Sequence, residues 1–147
     1  MREVVFARLR LAFGLYRDLV VSLPEEALAL RLPELPSNSV GSQLWCVVGA
    51  RESYVRAVLA GKWQGFACRV TKAESKQLAR VAAALAETAA LAERVLADEE
   101  LEWTAERQRL LVTLLEHEAQ HHGQLIRYLY ANRLEIPASW KERYALD

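Results

Sequence analysis

Apolar residues recur at three- and four-residue steps through four long segments of the chain, which is the spacing of one helix face. The earliest line is Val5, Leu9, Ala12, Tyr16, Leu19 and Leu23. Pro24 predicts the end of this first helix, and the three prolines between residues 24 and 36 predict a connection that has room for one helical turn. No segment shows the alternation of a β-strand.

Polar residues mark where the later helices begin. Ser39 is a suitable N-cap for a second helix that runs to about Gly61. The segment 71–74, Thr-Lys-Ala-Glu, has the spacing of a capping box and predicts the start of a third helix, which ends by Leu101. Thr104 predicts the cap of a fourth helix.

The fourth helix should continue to about Asn132, and Pro137 follows it. Segment 139–142, Ser-Trp-Lys-Glu, repeats the capping-box spacing and predicts a short C-terminal helix. Four long amphipathic helices and one short one predict an all-α four-helix bundle. A length of 147 residues suits one domain, residues 1–147, with one core.

Charge and composition narrow the function classes. Nineteen basic residues balance nineteen acidic ones, so the basic excess of a nucleic-acid-binding protein is missing. No apolar run approaches the roughly 18 residues of a membrane span, and charges interrupt the first ten residues where a secretory signal needs an apolar run. Two cysteines, Cys46 and Cys68, are too few for a disulfide framework. These features predict a cytoplasmic protein that binds neither nucleic acid nor membrane.

All three histidines lie within six residues of the predicted fourth helix. His117 and His121 are four residues apart and therefore lie on one face, where two imidazoles can reach one metal ion. They interrupt an otherwise apolar line, Leu110, Leu114, His117, His121, Leu125 and Tyr128. Buried polar groups need partners, so this position calls for either a metal ion or hydrogen bonds from neighbouring carbonyls or carboxylates.

Residues 117–121 also match H-E-x-x-H, in which Glu118 would be the general base of a zinc protease. No strand is predicted that could bind an extended peptide, so the sequence disfavours that class. His122 is turned about 100° from His121 on an ideal helix and is expected to contribute to packing or to a pocket. Proton transfer by Glu118 or His122 stays an open alternative.

A tetrahedral catalytic zinc site normally has three protein ligands and one open position. The predicted second helix offers Cys46, whose thiolate is a good zinc ligand, and Gln43 one turn earlier is a weaker candidate. The alternative for Cys46 is a small buried apolar residue, which describes most free cysteines. Cys68 lies in a predicted loop and lacks this context.

The segment 117–124, His-Glu-Ala-Gln-His-His-Gly-Gln, resembles the fourth helix of the DinB family, also called the DinB/YfiT-like superfamily of metal-binding four-helix bundles. That family has H-x-x-x-H followed by a basic residue, Gly and Gln. Segment 44–46, Leu-Trp-Cys, is similar to its second metal-binding stretch, and the resemblance extends over nearly the whole chain. Cys46 departs from the pattern, which places a third histidine there, and His122 stands where arginine is common.

The resemblance implies a homodimer and a divalent-metal site of Cys46, His117 and His121, with zinc or nickel as the metal. It also implies a small-molecule substrate and an S-transferase, isomerase or hydrolase chemistry that uses a low-molecular-weight thiol such as bacillithiol or mycothiol. The rival hypothesis is a noncatalytic, stress-related dimeric bundle whose metal site is structural or lost, because Cys46 replaces the usual ligand.

Two further expectations accompany the site. Metal affinity should fall as the pH drops through about 6.5, the ordinary pKa of histidine. Three tryptophans, Trp63, Trp103 and Trp140, are more than one bundle core readily covers, and they are expected at the dimer interface.

Overall fold

A computed structural model describes residues 2–147, which contain five α-helices, two 3₁₀-helices and no strand. The α-helices are α1 (Arg2–Ser22), α2 (Val40–Ala60), α3 (Leu78–Leu96), α4 (Ala105–Ala131) and α5 (Ala138–Tyr144). The 3₁₀-helices are Glu25–Ala29 and Glu74–Lys76. The all-helical prediction is therefore confirmed.

The four long helices pack as a bundle in which α2 contacts α3 and α4, and α1 also contacts α3 and α4. Their apolar faces form two core clusters, one around Leu44 and Leu125 and the other around Leu9 and Leu114. The short α5 packs on α1, where Trp140 is fully buried and its Nε1 donates a hydrogen bond to the carbonyl of Leu15 at 2.7 Å. Within residues 2–147, none of the helices combines the length and the apolarity needed to cross a lipid bilayer.

The predicted caps of α2 and α4 are confirmed. The Ser39 side chain accepts a hydrogen bond from the backbone N–H of Ser42, and Thr104 does the same for Arg107. Gly61 ends α2 in the left-handed conformation, with φ of 72°, which glycine adopts without steric cost. Local side-chain hydrogen bonds thus determine where α2 and α4 begin, and the backbone freedom of glycine determines where α2 ends.

The predicted start of the third helix is wrong, because the helix begins later in the chain. Thr71 and Glu74 make both hydrogen bonds of a capping box, but the chain then forms only the short 3₁₀-helix, and α3 begins at Leu78. The predicted box at Ser139 is also wrong, since α5 begins at Ala138 and the Ser139 hydroxyl donates to Asp18 on α1 at 2.7 Å. In this second case a tertiary hydrogen bond replaces the local one.

Burial corrects the expectation for the tryptophans. Trp63 is 48% exposed, but Trp140 is completely buried and Trp103 is only partly exposed. The flat Trp140 ring covers the end of the core beside Tyr16 at a centroid distance of 6.2 Å. Trp140 therefore stabilises the monomer and is not available for a surface contact.

Gly41 sits where α2 begins against both 3₁₀-helices. A Cβ at this position would lie 2.4 Å from the carbonyl oxygen of Ser75 and 3.0 Å from that of Leu28, and neither backbone atom can rotate away. We expect Gly41→Ala to destabilise the fold by about 1–3 kcal/mol, the usual cost of overpacking. Urea unfolding followed by circular dichroism measures the change.

Gly123 provides the matched control, because it lies inside α4 and a Cβ there would have no neighbour within 4 Å. Gly123→Ala should stabilise the protein by about 0.5–1 kcal/mol through higher helix propensity. Equal effects of the two substitutions would contradict the close approach at Gly41.

Candidate metal centre

The candidate ligands come from two helices that pack against each other. Cys46 lies on α2, and His117 and His121 lie one turn apart on α4. One potential ligand atom from each residue lies within 4.8 Å of the other two, so the three side chains form a group that could hold a metal ion. Ligands of one tetrahedral zinc ion lie roughly 3.5 Å apart, given bonds of about 2.0–2.3 Å. Small side-chain rotations would bring the group to that spacing.

Hydrogen bonds orient the ligand atoms. The Sγ of Cys46 lies 3.5 Å from Nε2 of His117. The Nδ1 of His121 lies 2.5 Å from Oε1 of Gln43, so this nitrogen carries the proton and Nε2 keeps its lone pair. Such an outer hydrogen bond is the usual support of a metal-binding histidine. Gln43, considered from the sequence as a substitute ligand, instead supports His121.

One polar atom of the group lacks a partner. The Nδ1 of His117 is buried and makes no hydrogen bond with any described residue. An unpaired buried polar atom costs free energy, so Nδ1 needs a hydrogen-bond partner whether or not an ion binds. The donor set of one thiol and two imidazoles fits a metal ion, and Nε2 is the His117 nitrogen that lies next to Cys46.

Burial sets the protonation states of the group. It lowers the pKa of His121 to about 4, with a smaller contribution from the neighbouring His117, and it also lowers the pKa of His117. Both imidazoles are therefore neutral at pH 7, as a metal ligand requires. Burial raises the pKa of the Cys46 thiol, so this cysteine holds its proton at neutral pH until a cation displaces it.

The cluster also has access to solvent. Cys46 and His117 are partly exposed, whereas His121 is buried with 8% of its surface exposed. Three protein ligands are typical of catalytic zinc sites, while structural sites have a fourth protein ligand. Among residues 2–147 only these three residues form a group of potential His, Cys, Asp or Glu ligands.

A buried ion pair joins α2 and α4 beside the cluster. Arg51 Nε and Nη2 donate to the two carboxylate oxygens of Glu118 at 2.7 and 2.8 Å, and both side chains are essentially inaccessible to solvent. The guanidinium also donates to the Leu85 carbonyl at 3.2 Å and lies 4.3 Å from the ring centroid of Phe13. The hydroxyl of Tyr16 donates to the backbone carbonyl of Glu118 at 3.0 Å. All four long helices meet in this network.

This geometry removes Glu118 as a general base. Both of its oxygens accept from Arg51, and its side chain is completely buried, so it can reach neither a substrate nor a bulk proton acceptor. The sequence match to a zinc protease is therefore misleading: adjacent helix positions point in different directions, and Glu118 faces inward.

Sequence reasoning missed Arg51, although a signal was present. Arg51 interrupts the apolar line of α2, whose members are Leu44, Val47, Val55 and Val58. Glu118 interrupts a parallel line on α4 between Leu114 and Leu125. Opposite charges on the buried faces of two helices indicate an ion pair, because an unpaired buried charge is too costly.

His122 lies away from the cluster. Its ring is 2% exposed, its Nδ1 lies 2.6 Å from the Tyr144 hydroxyl, and it packs 4.9 Å from the Trp140 ring centroid. Burial, followed by the charges of Arg51 and Arg143, lowers the pKa of His122 to about 3. The expectation that His122 serves packing or a pocket agrees with this position.

No protein-family model matches the chain, and no curated protein is significantly similar to it.

Proposed function

We propose that the chain is a divalent-metal-dependent enzyme of the DinB-like class, in which Cys46, His117 and His121 hold a zinc or nickel ion. The observation that carries the proposal is the convergence of one thiol and two neutral imidazoles within 4.8 Å. Mixed sulfur and nitrogen donors favour zinc and softer divalent ions over magnesium or calcium.

The protein's own groups have distinct roles in this proposal. Gln43 holds the Nδ1–H of His121 and so directs the Nε2 lone pair to the ligand position. The Arg51–Glu118 pair fixes α2 against α4, so that Cys46 faces the histidines. A bound divalent ion supplies Lewis acidity, which lowers the pKa of a coordinated thiol or water towards neutral.

A thiol-dependent S-transferase is the proposed reaction class. In such a reaction the sulfur of a low-molecular-weight thiol forms a bond to an electrophilic carbon, the bond from that carbon to its leaving group breaks, and the thiol proton passes to solvent. A metal-free cysteine nucleophile is a weaker explanation, because burial raises the pKa of Cys46 and keeps it in the unreactive thiol form.

Elemental analysis of the purified chain is the first test, with about one zinc or nickel per chain expected. A second measurement follows transfer of cysteine, as a simple thiol, to monochlorobimane, with chloride as the leaving group. We expect metal-dependent turnover that His117→Ala abolishes and Gly123→Ala retains. A metal-loaded protein without turnover towards thiol and electrophile pairs would support the structural role instead, and a metal-free chain that binds no added zinc would reject both.

The proposal includes a homodimer. Trp63, Phe66 and Leu59 remain 47–52% exposed, which is unusual for large apolar side chains and frequent at interfaces. Sedimentation equilibrium at micromolar concentration should therefore give twice the 16.6 kDa mass of the chain, and a monomer would reject this assembly.

A further inference from the structure

A separate cavity opens where α1, α4 and α5 meet. Its volume is about 330 Å³, within the range of small-molecule sites. Leu11 and Leu15 of α1 and Leu115 of α4 provide apolar walls, and none of the three candidate metal ligands lines it. The burial of Trp140 against Leu15 holds α5 in place, and α5 thereby closes one side of the cavity.

Both charged residues that line this cavity are arginines, Arg8 from α1 and Arg143 from the last turn of α5. Neither forms an ion pair with a carboxylate in residues 2–147, whereas six other arginines of that range do. No aspartate or glutamate lines the cavity. The charge of its lining is therefore positive, and two guanidiniums without ion pairs can bind an anion, one of them, Arg143, lying 5.6 Å from the ring centroid of Tyr144.

A hydroxyl is held at the same wall. The Tyr144 hydroxyl lies 2.6 Å from Nδ1 of His122, and both residues line the cavity. The His122 ring is itself fixed, since it is 98% buried and packs between Tyr16, at 4.4 Å, and Trp140, at 4.9 Å. Its Nε2 makes no hydrogen bond in the described chain. The cavity thus combines apolar walls, a fixed hydroxyl and two arginines that form no ion pair with a carboxylate in residues 2–147.

We propose that this cavity binds a small organic carboxylate with a short hydrocarbon body. The carboxylate would accept hydrogen bonds from Arg8 and Arg143, whose planar guanidiniums match its geometry, and Leu11, Leu15 and Leu115 would contact the hydrocarbon. A bare inorganic anion would leave those leucines uncovered. The site is independent of the proposed metal centre, because a different face of α4 contributes to it.

The indole of Trp140 is a suitable reporter, because its N–H is bonded to the backbone of Leu15 in the cavity wall. The indole of Trp45 is the internal control, since it donates to Val70 at 2.7 Å and does not line the cavity. In ¹H–¹⁵N spectra titrated with hexanoate, we expect a saturable shift of the Trp140 indole resonance and a constant Trp45 resonance. Hexan-1-ol, which has the same chain without the charge, should bind at least about tenfold more weakly.

The double substitution Arg8→Gln with Arg143→Gln should weaken hexanoate binding by at least about tenfold. Both arginines are exposed, so the variant should fold normally. Arg127→Gln, at an exposed arginine outside the cavity, is the matched control and should bind hexanoate like the native chain. Ala119→Leu, which narrows the cavity from α4 without changing its charge, should also weaken binding. Absence of a saturable Trp140 shift, equal binding of hexan-1-ol, or unchanged binding in the double variant would overturn the proposal.

Discussion

Glu118→Ala should destabilise the protein by about 3–5 kcal/mol, the cost of leaving a buried charge without its partner. In this variant the Arg51 guanidinium keeps its charge at neutral pH, because arginine does not deprotonate in proteins. The Leu85 carbonyl and the ring of Phe13 remain beside it, but they are neutral and cannot replace a carboxylate. Urea unfolding monitored by circular dichroism measures the change in the free energy of unfolding.

Two variants control this result. The exposed pair Arg10–Glu93 has similar geometry, with an N–O distance of 2.8 Å, and joins α1 to α3. Glu93→Ala should therefore cost no more than about 1 kcal/mol, as is usual for surface pairs. The double substitution Arg51→Met with Glu118→Leu should recover most of the lost stability, because it removes both charges. A small effect of Glu118→Ala would mean that water reaches the Arg51 guanidinium.

His121→Ala should lower zinc affinity by more than about 100-fold. Loss of an outer hydrogen-bond partner already costs about 10–100-fold in metal sites, and loss of a ligand costs more. Gln43→Ala, which removes the partner of His121 Nδ1, should lie within that smaller range. Gln124→Ala, at an exposed position of α4, should leave the affinity unchanged. Competition with a fluorescent zinc chelator measures the zinc affinity of the three variants. If all three bind zinc as tightly as the native chain, the cluster is not a zinc site.

The pH dependence of zinc binding identifies the ligands. The pKa of His121 is about 4 and that of His117 is also lowered, so protons compete for the imidazoles at a lower pH than they would for exposed histidines. The expectation of a transition near pH 6.5 therefore changes, because burial moves it downwards. Cys46 keeps its proton at neutral pH, and its release on binding should raise the affinity about tenfold per pH unit between pH 6 and 8.

Cys46→Ser separates the two contributions. Without the thiol, the affinity between pH 6 and 8 should depend only weakly on pH, and the loss of affinity towards pH 4 should persist. An unchanged slope would exclude Cys46 from the site. A transition at pH 6.5 in this variant would indicate histidines with ordinary exposure to water.

The sequence was sufficient for the helices whose ends depend on local chemistry. Ser39, Gly61 and Thr104 act through neighbouring backbone groups, and the structure places them as expected. The start of the third helix and the role of Ser139 were predicted wrongly, and both positions make tertiary hydrogen bonds: the Leu78 N–H donates to Glu25 at 3.2 Å, and Ser139 donates to Asp18. Helix periodicity identifies the buried face of a helix, but it does not reveal which residue of another element a polar side chain will bond to.

The same limit applies to the candidate site. Four-residue spacing predicted that His117 and His121 share a face, and the packing of α2 on α4 brings Cys46 to them. The roles of Gln43 and Glu118 depend on contacts between residues 67–78 positions apart in the chain, which no local pattern specifies. His122 differs from His121 only by a rotation of about 100°, yet it meets Tyr144 on another helix.

The Arg51–Glu118 pair lies five positions from Cys46 along α2 and one position from His117 along α4. Two parallel hydrogen bonds between buried side chains add geometric specificity to the packing of these helices. The entropic cost of bringing three ligands together is therefore borne during folding and not when an ion arrives. If the proposed site binds a metal, preorganisation of this kind would let the ion exchange without a folding transition, unlike small domains that fold only around zinc.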